Sequence, residues 1–259
     1  MNTRDPVRLV VRGDDFGMCH AVNAGIQLAF AEGIVTTSST MAPCPWFGEA
    51  IKIAKEAGIP LGAHQTLTCE WDYFRWRPLT DGRSLTGPDG TFRPSVELAR
   101  QHVRHDEVVS ELVAQVDRFR SAGVGLDYLD HHMGPTLPAA YDEVSERTGV
   151  PFLYSRQNRG RFASVSELSP RDGAGKKEWL LSYLSQLGPG AHLLVSHPAV
   201  AASELDSLTG PDSVPYRWAA EYRLSDLAVL TDHDVRARVR DLGIALCSLP
   251  EALSPDLAE

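Results

Sequence analysis

The strongest constraint on this chain is alternation: short apolar, β-branched stretches take turns with longer segments whose apolar residues recur at helical spacing. The spacing predicts a buried strand over Val7–Val11 and a helix over His20–Glu32 that stops at Gly33. Ile34–Met41 reads as a second strand, Pro45–Ala57 as a helix closed by Gly58, and Ile59–Leu67 as a third strand. Beyond an irregular stretch, Cys69–Pro94, a long helix is expected over Ser95–Ser121. Leu126–Asp130 is the fourth strand, Leu137–Thr148 is helical, Pro151–Tyr154 is a short fifth strand, and residues 157–173 are loop. Lys176–Leu187 is helical and Ala191–Ser196 is the sixth strand. Helices over Tyr216–Leu230 and Asp232–Leu242 precede a seventh strand, Gly243–Leu249. Such alternation selects a parallel sheet with helices outside it, and about seven units suit a (β/α) barrel or near-barrel. With no repeat, low-complexity tract or linker, residues 1–259 are expected to form a single domain.

Composition narrows the partners. The excess of 34 acidic over 25 basic residues, formally -9, argues against nucleic acid. There is no run of eighteen apolar residues to span a membrane, and the opening Met1–Pro6 has no signal-peptide core. Cys19, Cys44, Cys69 and Cys247 are scattered without a CxxC pair, so neither a disulfide frame nor a structural zinc site is expected; a reduced, cytoplasmic protein is.

The titratable residues collect at strand ends. Asp14 and Asp15 follow the first strand between Gly13 and Gly17, His64 lies late in the third, His132 just beyond the fourth, and His197 at the end of the sixth. In a parallel barrel the carboxyl ends of the strands carry the active site, because the βα loops converge there. Two adjacent carboxylates are costly to hold together unless a cation, a shared proton or water relieves them. An Asp and two His from three strands make a ligand set that leaves positions open for water or substrate, the pattern of a catalytic site. Taken singly, His64 could equally be a core histidine bonded to backbone. His131 reads as a supporting residue, since neighbours on an extended segment point oppositely, although it competes with His132 for the same register. His102 and His105 read as a solvated helix face, and the Asp15-Phe-Gly17 triplet lacks the other motifs of a kinase.

Gly13-Asp-Asp-Phe-Gly17, with Asn23-Ala-Gly25 and Gly33-Ile-Val-Thr-Thr37 behind it, resembles the opening of the YdjC-like carbohydrate deacetylases. Leu61-Gly-Ala-His-Gln-Thr-Leu-Thr68, Leu129-Asp-His-His-Met-Gly134 and Val195-Ser-His-Pro198 are similar to three later motifs of that family, in order and nearly end to end. Gly13 stands where an alanine is common, and Ala199 where a glycine usually follows the proline. The resemblance implies a barrel-like deacetylase fold, one divalent metal ion (magnesium or zinc) and hydrolysis of N-acetyl groups on sugars. Carried over by position, it implies Asp15, His64 and His132 as metal ligands, Asp14 as general base and His197 as general acid or polarising group.

Amide hydrolysis needs a nucleophile, charge relief at the carbonyl oxygen and a proton for the leaving amine; a metal supplies the first two, and Asp14 and His197 suit the proton transfers. No Gly-x-Ser-x-Gly elbow or catalytic cysteine context points to a covalent route. In the 69–94 stretch, Trp71, Tyr73 and Trp76 offer flat faces for a sugar, with Arg156 beyond the fifth strand as a polar contact. The alternative is that these aromatics cap the barrel rim or make a homodimer contact. The rival functions are a metal-dependent hydrolase for a non-sugar amide or ester, and a non-catalytic sugar-binding barrel.

Overall fold

The computed structural model describes residues 6–134, 136–155, 158, 160–168, 173–208 and 220–254. The first βα units are β1 (Val7–Phe16) with α1 (His20–Glu32), and β2 (Thr37–Thr40) with α2 (Phe47–Ala57). Strand β3 (Leu61–Gln65) leads through a long connection to α3 (Val96–Arg100) and α4 (His105–Ser121), and β4 (Tyr128–His131) to α5 (Pro138–Thr148). Then come β5 (Phe162–Glu167) with α6 (Lys176–Gln186), and β6 (Gly190–Ser196) with α7 (Ser203–Asp206), α8 (Ala220–Leu230) and α9 (His233–Asp241). Strand β7 (Ala245–Leu246) and α10 (Leu249–Leu253) close the described chain.

Every strand pairing is parallel, in the order β4-β3-β2-β1-β6-β5, with β7 beside the amino-terminal half of β1. The sheet curls into a half-barrel with helices around it, as the alternation predicts. Among the described residues β4 and β5 do not pair; the outer edge of β4 meets the 151–154 segment instead, through the bridge from Leu129 to Phe152. Alternation along β1 sorts its side chains. Leu9 and Val11 pack outward in one cluster with α6, α8 and α9, whereas Val10 packs inward with Tyr128, Leu193, Val195 and Leu249 of α10. A larger cluster joins α1, α2, α4 and α5 to the other half of the sheet. No helix among the described residues is long and apolar enough to cross a membrane.

Three expectations need correction. Strand β1 does not end at Val11 but runs through both aspartates to Phe16, with a bulge between Gly13 and Phe16. Pro151–Tyr154 contributes only a single bridge, Phe152 to Leu129, and the fifth strand is Phe162–Glu167 instead. That strand is an edge with one ladder, so it needs little apolar sequence and Phe-Ala-Ser-Val-Ser-Glu has little to show. The long helix is two, α3 capped by the Ser95 side chain on the Leu98 N–H, and α4 beginning at His105. Of the helix expected from Tyr216, residues 216–219 lie outside the described residues.

The 69–94 connection is tied down rather than loose. Residues Glu107, Glu111 and Gln115 lie one turn apart on a single face of α4. Glu111 accepts from the Leu79 and Thr80 N–H groups, Glu107 from the Ser84 N–H, and Gln115 from the Thr66 N–H. The Arg75 guanidinium staples the connection internally, donating to the carbonyls of Cys69, Trp71 and Phe92.

Candidate functional site

The inward side of β1 continues past Val10 with Arg12 and Asp14. Strict alternation would send Asp15 out toward the helices, but Asp15 has φ 69° and lies within the bulge. That left-handed turn, costing about 1 kcal/mol for a residue with a side chain and tolerated by aspartate, brings Asp15 into the same pocket as Asp14. Met133 is the other described non-glycine residue with positive φ, at 58°, one residue past His132. Both irregular positions flank the same cavity, of about 710 Å³, lined by Arg12, Asp14, Asp15, His64, Glu70 and His132 among others.

Asp15, His64 and His132 converge: one ligand atom from each lies within 4.8 Å of the other two, and all three residues are buried. Asp15 Oδ1 is 3.2 Å from His132 Nδ1 and 3.5 Å from His64 Nε2. Yet that buried oxygen has no hydrogen-bond partner. The far nitrogens explain the geometry. His64 Nδ1–H donates to Asp130 Oδ1 at 2.9 Å, and His132 Nε2–H donates to Glu70 Oε2 at 3.0 Å. Carboxylates are acceptors only, so each imidazole keeps a proton on the far side, and it is the near nitrogen, once its own proton has left, that faces Asp15. Metal-ligating histidines are oriented in this way by outer carboxylates. One carboxylate oxygen and two imidazole nitrogens, with an unsatisfied oxygen between them, fit a single divalent cation.

A second group, Asp14, His64 and Asp130, is also close enough to hold a cation, but there the cation is Arg12. Arg12 Nε and NH2 donate to the two oxygens of Asp14 at 2.5 and 2.7 Å, and NH1 sits 2.7 Å from Asp130 Oδ2 and 3.2 Å from the Tyr154 hydroxyl. Burial pushes Asp14 above the usual carboxylate range, with Arg12 and His64 pulling the other way. Burial acts on Asp15 too, but Arg223, at 2.6 Å from Oδ2, with His132 and His64 outweighs it and holds Asp15 well below the usual range. Burial likewise disfavours charge on the imidazoles. Asp130 and Asp14 overcome it at His64 and push it up to about 10, and Glu70 and Asp15 push His132 up to about 9.

His197 completes the wall, with Nε2 3.9 Å from Asp14 Oδ2. Burial drives it well below the usual imidazole range, Arg223, His64 and Arg12 adding to the effect against Asp15, so it is neutral. Its backbone is fixed from α8: the His197 N–H donates to Asp226 Oδ2, and Asp226 Oδ1 pairs with the buried Lys176 at 2.6 Å. From the other side α1 presses close. A Cβ on Gly25 would stand 2.4 Å from the Ala199 Cα, so only glycine fits there.

His131, the competitor in register, turns toward Tyr154, Tyr141 and Phe152, with ring centroids 4.9, 6.0 and 6.1 Å away, and burial lowers it to about 4. The aromatic platform is not where the sequence suggests. Trp71 and Trp76 are 0% and 2% exposed; Trp76 donates to the Thr68 carbonyl and packs its ring 6.1 Å from that of His132. Both are large apolar rings in the core, Trp76 behind His132 and Trp71 beneath the Arg223 guanidinium, and burial there satisfies them better than the cavity would. Tyr73 is 70% exposed but does not line the cavity either. Arg156 lies outside the described residues.

Sequence reasoning missed Arg12, Glu70, Asp130 and Arg223. Arg12 had a signal, a charge two residues before Asp14 on the same face of a buried strand. Asp130, two before His132, had the same one. Arg223 had none, because only the packing of α8 brings it to Asp15.

A profile of the YdjC-like protein family matches residues 8–241. A carbohydrate deacetylase of Geobacillus stearothermophilus is 31% identical over 95% of this chain and 98% of its own. One of Thermus thermophilus is 34% identical over 84% and 86%. Among solved structures, a proposed cellobiose-phosphate cleavage protein of Enterococcus faecalis superposes with a TM-score of 0.78 over 96% of this chain and all of its own, at 22% identity. With the profile spanning most of the chain and relatives above 30% identity over most of both lengths, the chain belongs to the YdjC-like protein family.

Proposed function

We propose that the protein is a metal-dependent carbohydrate deacetylase, a hydrolase that removes acetyl groups from N-acetylated sugars, with residues 1–259 acting as one domain. Its relatives in Geobacillus and Thermus bear that name, and the family match supports the same reaction class. The observation that carries the metal dependence is the paired orientation of His64 and His132, each bonded to a carboxylate behind and each facing the unsatisfied Asp15 Oδ1. Held by Asp15, His64 and His132, a divalent cation, magnesium or zinc, would supply Lewis acidity at an acyl oxygen and lower the pKa of water. Asp14 is the base: its pKa is raised by burial, its plane is fixed by the Arg12 fork, and Oδ2 accepts the proton of the attacking water. His197, with Nε2 beside that oxygen, is the general acid at the leaving nitrogen or the group that polarises the acyl oxygen. The four cysteines are unpaired, which suits a reducing cytoplasm.

The two aspartates separate the roles. Asp14→Asn is expected to keep the cation and lose about 10²–10⁴-fold in acetate release, because the amide keeps the shape but takes no proton. Asp15→Asn is expected to weaken cation binding, with added cation rescuing part of the activity. Metal content and acetate release on both variants decide it; equal metal loss would make both residues ligands and require another base.

A further inference from the structure

Two apolar side chains at the cavity have no core to belong to. Met133 and Val165 are 36% and 52% exposed, both line the cavity, and neither packs into a hydrophobic cluster of the described residues. Single exposed apolar residues are ordinary on a protein surface. These two differ in where the fold puts them. Met133 follows β4 and Val165 lies on β5, the two ends of the strand order, so they enter the cavity from its two sides, with Tyr154 of the 151–154 segment also on its wall. Met133 is held there in a left-handed conformation that a glycine would adopt without strain, and strain of this kind persists where a side chain is needed in one place. The rest of the wall is mostly polar, with Asp14, Asp15, Glu70, Glu167 and His197, and Val195 and the Tyr154 ring beside them.

We infer that Met133 and Val165 are the apolar jaws of a sugar subsite, gripping the C–H face of a pyranose ring across the cavity while the polar residues of the wall meet its hydroxyl and acyl groups. The inference rests on the deacetylase reading and adds the residues that hold the ring. Neither residue touches the reacting atoms, so both are specificity determinants and their loss belongs in KM.

The test compares Met133→Gly, Val165→Ser and the double variant with Met133→Leu, on N-acetylated chito-oligosaccharides and on an aryl acetate that lacks a sugar. For each single loss the expected result is a roughly tenfold rise in KM for the sugar with kcat nearly unchanged. The aryl acetate should show no change in KM, and Met133→Leu should stay near wild type. Met133→Gly should keep its cation affinity, measured by titration calorimetry, since His132 keeps its place. An unchanged KM for the sugar overturns the inference. So does an equal rise on both substrates, or a loss of cation binding that accounts for the effect. Wild-type protein that cleaves the aryl acetate but no N-acetyl sugar would instead overturn the deacetylase reading, and the jaws with it.

Discussion

At the scale of single residues the site is a balance of charge. Among the described residues, Asp14, Asp15 and Asp130 meet two guanidiniums, Arg12 and Arg223, Glu70 meets His132, and the excess of carboxylates is expressed in the raised imidazoles. His64 and His132 are shifted from 6.5 to about 10 and about 9. A folded pKa above the unfolded one means that the bound proton stabilises the fold: fully below pH about 6.5, fading as pH rises through about 9 to 10. The same protons must leave before a cation can take the near nitrogens. Chelator-treated protein is therefore expected to lose thermal stability between pH 6.5 and 9, while cation affinity strengthens over that window. Calorimetric titration at several pH values checks it. Affinity that weakens as pH rises would show that the imidazoles are not the ligands.

At the scale of elements, each functional side chain is delivered by a strand end and held by a helix. The His197–Ala199 segment is pinned between α1 and α8, with the Val200 N–H on the Ala21 carbonyl and the His197 N–H on Asp226. Gly25→Ala must push this segment away from α1, because the clash is with backbone. It is expected to lower kcat at least tenfold through displaced His197 while cation affinity is kept; kinetics and calorimetry on the folded variant check it, and full activity would mean that the placement of His197 does not matter. How much of this was legible follows from the physics of each element. Helices α1 and α6 and strand β6 could be read off because apolar periodicity and glycine stops agree there. The break between α3 and α4 has no glycine or proline to mark it, and β5, a polar edge, has no buried face to write a pattern. Asp14, Asp15, His64, His132 and His197 stood out because chemistry-bearing residues at strand ends are rare by chance. Glu70 and Arg223 come from the long connection and from a helix, and tertiary packing alone brings them in.

At the scale of the molecule, an open half-barrel does two jobs. Its inner end is filled by Val10, Tyr128, Leu193 and Leu249, so the strands are rigid where they lead into the site. Beyond that filled end it leaves a cavity of about 710 Å³ lined by Asp14, Asp15, His64, His132 and His197 among others. This cavity is expected to hydrolyse the N-acetyl groups of sugars with the help of a cation held by Asp15, His64 and His132. The most direct test is acetate release from N-acetylated chito-oligosaccharides by protein stripped with a chelator, then resupplied with magnesium or zinc. Release that disappears on stripping and returns with one equivalent of cation is the predicted result. Undiminished release from the stripped protein, or none with either cation, would contradict it.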